Sequence, residues 1–176
     1  GVQRFVEDLM RADTGHRHLA LVARGTPSHR CPGEVLELYD DLRAAPLLRW
    51  PLTLGIEATA LASHEYDTAL GHVLARHRVS RVLVSSLIGH GLSALRTGLP
   101  TALVCHDYYP LWPALHVDFG DRSRDFSPEA IAAELAQPEL DLPFGETRPE
   151  AWRALREAHV AAWLSSDATL IPPSQN

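Results

Sequence analysis

The stretch VLVSSLIGHGLSALRTGLPTALVCHDYYP, residues 82–110, decides the fold that the sequence predicts. It holds two short apolar runs, at 82–84 and 101–105. Such runs are typical of strands that are buried on both faces, as in a parallel sheet. Between them the pattern predicts a short helix over about 91–97, closed by Gly98. The stretch is therefore predicted to form a strand, a helix and a second, parallel strand.

The same alternation extends along the rest of the chain. Apolar periodicity predicts helices over Val2 to about Ala12, His64 to about Arg78, a segment starting at Ser127-Pro128-Glu129, and Thr147 to about Leu164. Further strands are predicted at 19–23, at 35–39 near a sheet edge, and at 168–171, while residues 40–62 give no firm assignment.

Polar residues at the ends of these helices are predicted to act as caps. Ser63 and Ser127 stand in N-cap positions, and Thr147 with Glu150 has the spacing of a capping box. Gly15 stands where a glycine commonly ends a helix such as the first one.

Strands separated by helices predict an α/β protein with a Rossmann-like, doubly wound parallel sheet in three α/β/α layers. Residues 1–176 are expected to form one such domain. The chain opens in a glycine turn that runs straight into a helix and closes just after a strand, so the domain is expected to be truncated at both ends.

Composition narrows the function classes. The net charge of −6 argues against a dedicated nucleic-acid binder, which usually carries a basic face. No apolar run has the length of a membrane span, and the opening residues lack the pattern of a secretory signal. The ten histidines do not have metal-site spacing, and no metal or cofactor is expected. Cys105 is expected to be an inert buried thiol in a reducing cytoplasm; a disulfide with Cys31 is the less favoured alternative.

Ligands of open parallel sheets bind beyond the carboxyl ends of the strands, so the residues there are the candidate site. Gly1 and Val2 open a helix whose free N–H groups suit a phosphate, and Arg4 adds charge. Gly89 and His90 lie in a turn that allows close approach of a ligand. A tight turn with no ligand explains each of these two segments equally well.

The segment that follows residues 101–105 is the most distinctive. It brings together His106, Asp107, Tyr108 and Tyr109. Exposed aromatic rings beside polar groups suit sugars, whose CH faces stack and whose hydroxyls form hydrogen bonds. The alternative is that the aromatic rings plug the edge of the sheet.

In order along the chain, four segments resemble the N-terminal domain of retaining GT-B glycosyltransferases of the large family 4 group. These are GVQRFVEDL (1–9), SSLIG through RTGLP (85–100), TALVCHDYYP (101–110) and ATLIPPS (168–174). The resemblance implies two Rossmann-like domains facing a cleft, of which the C-terminal, donor-binding domain is absent from this chain.

The resemblance also implies a function: transfer of a sugar, with retention, from a nucleotide-sugar to a glycan or lipid-linked acceptor, as in bacterial polysaccharide assembly. It places His106 at the transferred sugar as the catalytic residue. It places Gly1 and Val2 at the donor phosphates, and we assign Arg4, Ser86, Gly89, His90, Asp107, Tyr108 and Tyr109 to substrate binding. No metal is implied, and the location is cytoplasmic, at most peripheral on the inner face of the membrane.

Two other classes of function remain open. One is a stand-alone, flavodoxin-like binding or regulatory module without catalysis. The other is a small hydrolase that uses Ser85 or Ser86 with His106. The sequence has no Gly-x-Ser-x-Gly turn, and an adjacent His106-Asp107 pair is poor triad geometry.

Overall fold

The computed structural model describes residues 1–25, 31–113, 126–136 and 144–172 and shows a mixed α/β protein with two three-stranded sheets. In chain order the elements are α1 (Val2–Ala12), β1 (Ala20–Arg24), β2 (Gly33–Tyr39), β3 (Leu48–Ile56), α2 (His64–His77), β4 (Val82–Val84), a 3₁₀ helix (Leu92–Leu95), β5 (Thr101–Val104), α3 (Pro128–Leu135), α4 (Pro149–Leu164) and β6 (Thr169–Ile171).

The second sheet has the strand order β4-β5-β6. Its strands are parallel, as the sequence predicts. Val84 pairs with Leu103, and Val104 pairs with Ile171. The residues that follow these strands therefore emerge at one edge of the sheet, where the sequence places the candidate site.

The first sheet corrects the prediction, because β1, β2 and β3 are antiparallel neighbours. The connections at 25–32 and 40–47 are too short to hold a crossover helix, and short connections favour antiparallel pairing. The doubly wound, three-layer arrangement is thus not confirmed: half of the described strands lie outside the parallel sheet.

β2 is the central strand of the antiparallel sheet and not an edge strand as predicted. Its charged Glu37 is accommodated because it has partners on both neighbours. The carboxylate accepts hydrogen bonds from Arg24 Nε at 3.2 Å and Tyr39 Oη at 2.6 Å, and Arg49 lies at 3.3 Å. These partners hold the pKa of Glu37 below its usual value.

β3, with nine residues, lies inside the region 40–62 that the sequence leaves unassigned. Pro51 lacks a backbone N–H, but β3 is an edge strand with no described strand on its outer side. A proline is tolerated in such a strand. The carboxylate of Glu65, from α2, accepts hydrogen bonds from the backbone N–H groups of Thr53 at 3.0 Å and Leu54 at 2.9 Å. The helix thereby satisfies part of this edge.

Two predicted caps are confirmed and three are wrong. The helix predicted over about 91–97 is a 3₁₀ helix over Leu92–Leu95 whose C-cap is Arg96, so Gly98 does not close it. Ser63 Oγ accepts the Tyr66 N–H, and Ser127 Oγ accepts the Ala130 N–H. α1 has the predicted bounds but ends at Asp13 in an extended conformation, so Gly15 does not cap it. The N-cap of α4 is Arg148, without a side-chain cap; the predicted box starting at Thr147 lies one residue too early.

One hydrophobic core joins the two sheets. It contains Leu36 of β2, Tyr66 of α2, Leu103 of β5, and Trp152 and Leu155 of α4. The buried residues of α4 are Trp152, Leu155, His159 and Ala162. Within the described residues, no helix is long and apolar enough to cross a bilayer.

Candidate functional site

Ser85 and His106 meet at the carboxyl edge of the parallel sheet. Ser85 follows β4 directly, His106 lies two residues after β5, and both are half-buried. Ser85 Oγ and His106 Nε2 are 3.0 Å apart, a good hydrogen-bond distance. The parallel pairing of β4 with β5 brings the two side chains together.

α1 adds an aromatic wall to this pair. The ring of Phe5 packs edge-on against the His106 imidazole, with centroids 4.8 Å apart and planes at 71°. Phe5 belongs to the first turn, since its N–H bonds to the Gly1 carbonyl at 3.2 Å. The unpaired N–H groups at the start of α1 therefore lie within about one helical turn, roughly 5 Å of rise, of the Phe5 contact.

The residues assigned to phosphate binding occupy this exposed helix start. Gly1 and Arg4 are exposed, and Val2 is half-buried. Arg4 Nε is 3.8 Å from the carboxylate of Asp8, and the Arg4 side chain is 84% exposed. Such a loose surface pair leaves the guanidinium able to change partners. The phosphate role of the three residues stays a prediction.

Asp107, Tyr108 and Tyr109 have different surroundings. Asp107 Oδ1 accepts the Tyr109 N–H at 3.1 Å and shapes the turn. Tyr108 is 39% exposed beside His106. Tyr109 points into the protein, donates its hydroxyl to the Ala58 carbonyl at 2.7 Å, and packs against Phe144 and Trp152. Tyr109 thus plugs the edge, whereas the sugar-stacking role of Tyr108 stays a prediction.

No described contact joins His106 to Ser86, Gly89 or His90. Ser86 Oγ accepts the Ile88 N–H at 3.2 Å within its own turn. Gly89 has φ +73° and lies against Pro32 and Ala23 of the antiparallel sheet region. His90 packs edge-on against Tyr66, at 5.6 Å between centroids. Their assignment to substrate binding stays a prediction.

Several titratable groups in this region have shifted pKa values. Burial lowers the pKa of His90 to about 4, so this imidazole is neutral at physiological pH. Burial, with Asp107 nearby, raises the pKa of the Tyr109 hydroxyl. Partial desolvation and the charge of Asp107 also raise the pKa of the Cys105 thiol. Cys105 itself is exposed, which corrects the expectation of a buried thiol, and Cys31 and Cys105 are both free.

The described residues hold no group of three or more His, Cys, Asp or Glu side chains arranged to bind a metal ion. Two histidines instead share one carboxylate at the end of α1. His16 Nδ1 is 2.9 Å and His18 Nε2 is 3.1 Å from Asp13 Oδ2. A hydrogen bond from His16 is the main cause that lowers the Asp13 pKa.

Two residues that contact His106, Ser85 and Phe5, are not among those that the sequence assigns to the transferase site. Ser85 belongs only to the hydrolase alternative, although it, like Ser86, follows a predicted strand. Phe5 is one of the apolar residues of α1, yet it is 39% exposed and its ring contacts His106. No local pattern distinguishes the two serines, because their orientation depends on the pleat of β4.

Comparison of the chain with models of known protein families, with curated proteins and with solved structures finds no match.

Proposed function

We propose that the chain is the acceptor-side, Rossmann-like half of a GT-B enzyme that transfers a sugar from a nucleotide-sugar with retention. The observation that carries the proposal is the contact of Phe5 with His106. Through it the glycine-led helix α1 and the histidine after β5, two segments on which the resemblance rests, lie side by side.

This arrangement suits a sugar and a phosphate bound next to each other. The start of α1 offers N–H groups and the positive end of the helix dipole to an anion. His106 offers an imidazole nitrogen to a sugar hydroxyl, and Tyr108 offers a partly exposed ring to a sugar face. The start of α1 lies about one helical turn from the contact of Phe5 with His106, a separation that suits a phosphate and a sugar of one ligand.

In this proposal the chain supports a transition state in which the bond from the sugar to the departing diphosphate has largely broken. Helix N–H groups and Arg4 stabilise the negative charge that develops on the leaving group. His106 orients the transferred sugar. The donor itself is held mainly by a second domain, which is the expected partner, and the acceptor is a glycan or lipid-linked sugar at the inner face of the membrane.

Sugar binding by the chain tests this proposal. Methyl glycosides of glucose, mannose and galactose are titrated to tens of millimolar and followed by saturation-transfer NMR. We expect a saturation-transfer signal on at least one of these glycosides, and we expect this signal to be several-fold weaker with His106→Ala and with Tyr108→Ala. His72→Ala is the matched control, because His72 is an exposed histidine on α2 beside Trp50. Equal transfer in all four proteins, or none in any, contradicts the proposal.

Because one half cannot hold the donor, we also expect the isolated chain to show little or no turnover of UDP-glucose or GDP-mannose. Steady release of UDP or GDP by the purified chain is the result that contradicts this expectation.

The Ser85–His106 hydrogen bond favours a second candidate, a serine hydrolase in which His106 activates Ser85. Two features count against it. Within the described residues no carboxylate hydrogen-bonds to His106, and the Asp107 carboxylate accepts a hydrogen bond from the Tyr109 N–H. A fluorophosphonate probe decides between the two. Stoichiometric labelling at Ser85 supports the hydrolase, and absence of labelling eliminates it.

A further inference from the structure

We propose that Ser85 is a positioning residue for His106: its hydroxyl donates to Nε2, so that the protonated Nδ1 is the atom presented to a ligand oxygen. The pairing itself is independent of any function. Naming that oxygen as one of a sugar rests on the proposed function.

The backbone on both sides of the pair is fixed. The Cys105 N–H bonds to the Ile171 carbonyl of β6 at 3.0 Å, and the His106 N–H bonds to the Val104 carbonyl at 3.2 Å. Ser85 follows Val84, which is paired with Leu103 of β5. The 3.0 Å distance between Oγ and Nε2 is therefore set by the sheet and not by two mobile loops.

The ring orientation of His106 is constrained as well. A half-turn of the imidazole about its Cβ–Cγ bond would move Nε2 away from Ser85. Phe5 packs edge-on against the ring at 71° and restrains the plane of the imidazole. Within that plane, a flipped ring would turn a carbon toward Ser85 and lose the hydrogen bond, so Ser85 determines which nitrogen faces it.

The hydrogen-bond inventory gives the direction of the Ser85–His106 bond. A neutral imidazole has one N–H donor and one acceptor nitrogen. Within the described residues, His106 Nε2 is the one hydrogen-bond partner of Ser85 Oγ. The Nε2 lone pair is thus the one protein acceptor for the Ser85 hydroxyl proton within the described residues, and we take Ser85 as the donor. Donation by Ser85 places the imidazole proton on Nδ1.

Nδ1 is then the free end of the unit. It has no hydrogen-bond partner in the part of the chain that the structure describes, and it is not among the buried, unpartnered side-chain nitrogens, which are His77 Nε2 and His159 Nδ1. An accessible N–H donor fits a ligand oxygen, and a sugar hydroxyl supplies one.

The tautomer of His106 is measured directly by long-range ¹H–¹⁵N correlation NMR on the histidine-labelled chain at pH 8. We expect the Nδ1–H form in the wild type, a shift toward the Nε2–H form in Ser85→Ala, and recovery in Ser85→Thr, which keeps the hydroxyl. Ser86→Ala is the control, since Ser86 caps its own turn. The same tautomer in wild type and Ser85→Ala, with amide spectra showing both folded, overturns the proposal.

The sugar titration described above separates this inference from the proposed function. We expect Ser85→Ala to weaken binding of the best methyl glycoside by about 3–10-fold, the worth of one hydrogen bond. A tautomer change without any sugar binding leaves the positioning role standing and contradicts the transferase proposal. Sugar binding that involves His106 but is unchanged in tautomer and affinity by Ser85→Ala refutes the positioning role alone.

Discussion

Replacement of Gly89 by alanine is a sharp test of how the two sheets are held together. Gly89 has φ +73°, the left-handed region that side chains rarely adopt. A Cβ there would lie 2.6 Å from the Pro32 carbonyl oxygen and 2.8 Å from Ala23 Cβ. Both neighbours belong to the antiparallel sheet or its connection, so the methyl group would wedge the turn after β4 away from that sheet.

The magnitude follows from two separate costs. The left-handed conformation costs an alanine roughly 1–2 kcal/mol. Forcing a methyl group into a packed contact costs about 1–3 kcal/mol more. Gly98→Ala is the matched control, because Gly98 has φ +75° but nothing within 4 Å of a Cβ. We expect the free energy of unfolding to fall by about 2–5 kcal/mol in Gly89→Ala and by about 1–2 kcal/mol in Gly98→Ala.

Urea unfolding followed by tryptophan fluorescence measures both variants, since Trp50 and Trp152 pack in or against the shared core. The comparison uses the shift of the midpoint at constant slope. Equal losses of stability in Gly89→Ala and Gly98→Ala would refute the close packing of the Gly89 turn on the antiparallel sheet. A ligand-binding role for Gly89 would then become the better reason for this glycine.

Three further substitutions test single contacts. Burial lowers the pKa of His159 to about 4, and its Nδ1 has no hydrogen-bond partner within the described residues, so the folded state resists protonation. As pH falls below 6.5, the unfolded chain takes up the proton, and the stability of His159→Leu relative to wild type should rise by up to about 1.4 kcal/mol per pH unit. Urea titrations at pH 7.5 and 5 measure this difference. The ion pair with Arg148 lowers the pKa of Glu146 to about 2, so the stabilisation by this pair is present above pH 4.5 and lost toward pH 2. In thermal unfolding, Glu146→Gln should be about 1 kcal/mol less stable than wild type at pH 7 and equally stable near pH 2. A difference that persists near pH 2 contradicts the role of the ion pair. Tyr109→Phe removes the hydroxyl that bonds to the Ala58 carbonyl and should lower stability by about 1 kcal/mol in urea unfolding without changing sugar binding; a large loss of sugar binding would return Tyr109 to the site.

The parallel half of the fold could be predicted from the sequence because its signals are local. Apolar runs at 82–84 and 101–105 are separated by turn residues, and the helix predicted from His64 starts after a serine cap. Strand, helix and strand in that order leave one common arrangement, the right-handed parallel unit.

The antiparallel half could not be predicted in the same way, because its deciding contacts are distant in sequence. Glu37 reads as an edge signal until Arg24 and Arg49 are known to flank it across the sheet. Pro51 reads as a strand breaker until β3 is known to be an edge strand. Long-range partners override the local propensity in both places.

The candidate site shows the same division. That His106 and Tyr108 lie at a sheet edge follows from their place after an apolar run. That Ser85 and not Ser86 meets His106, and that Phe5 faces the ring, depends on pleat and packing. Position along the chain therefore predicts the neighbourhood of a site better than it predicts the contacts within it.

Photo-crosslinking with a diazirine-bearing methyl glucoside or mannoside shows whether a sugar binds at His106. Trypsin cleaves this chain after arginine and releases 97–122, which carries His106 and Tyr108, and 5–11, which carries Phe5. We predict that the label is found in these two peptides and is reduced by an excess of unmodified sugar. Label confined to peptides other than these two and 82–96, which carries Ser85, contradicts a sugar site at His106, and so does label in 97–122 that excess sugar does not reduce.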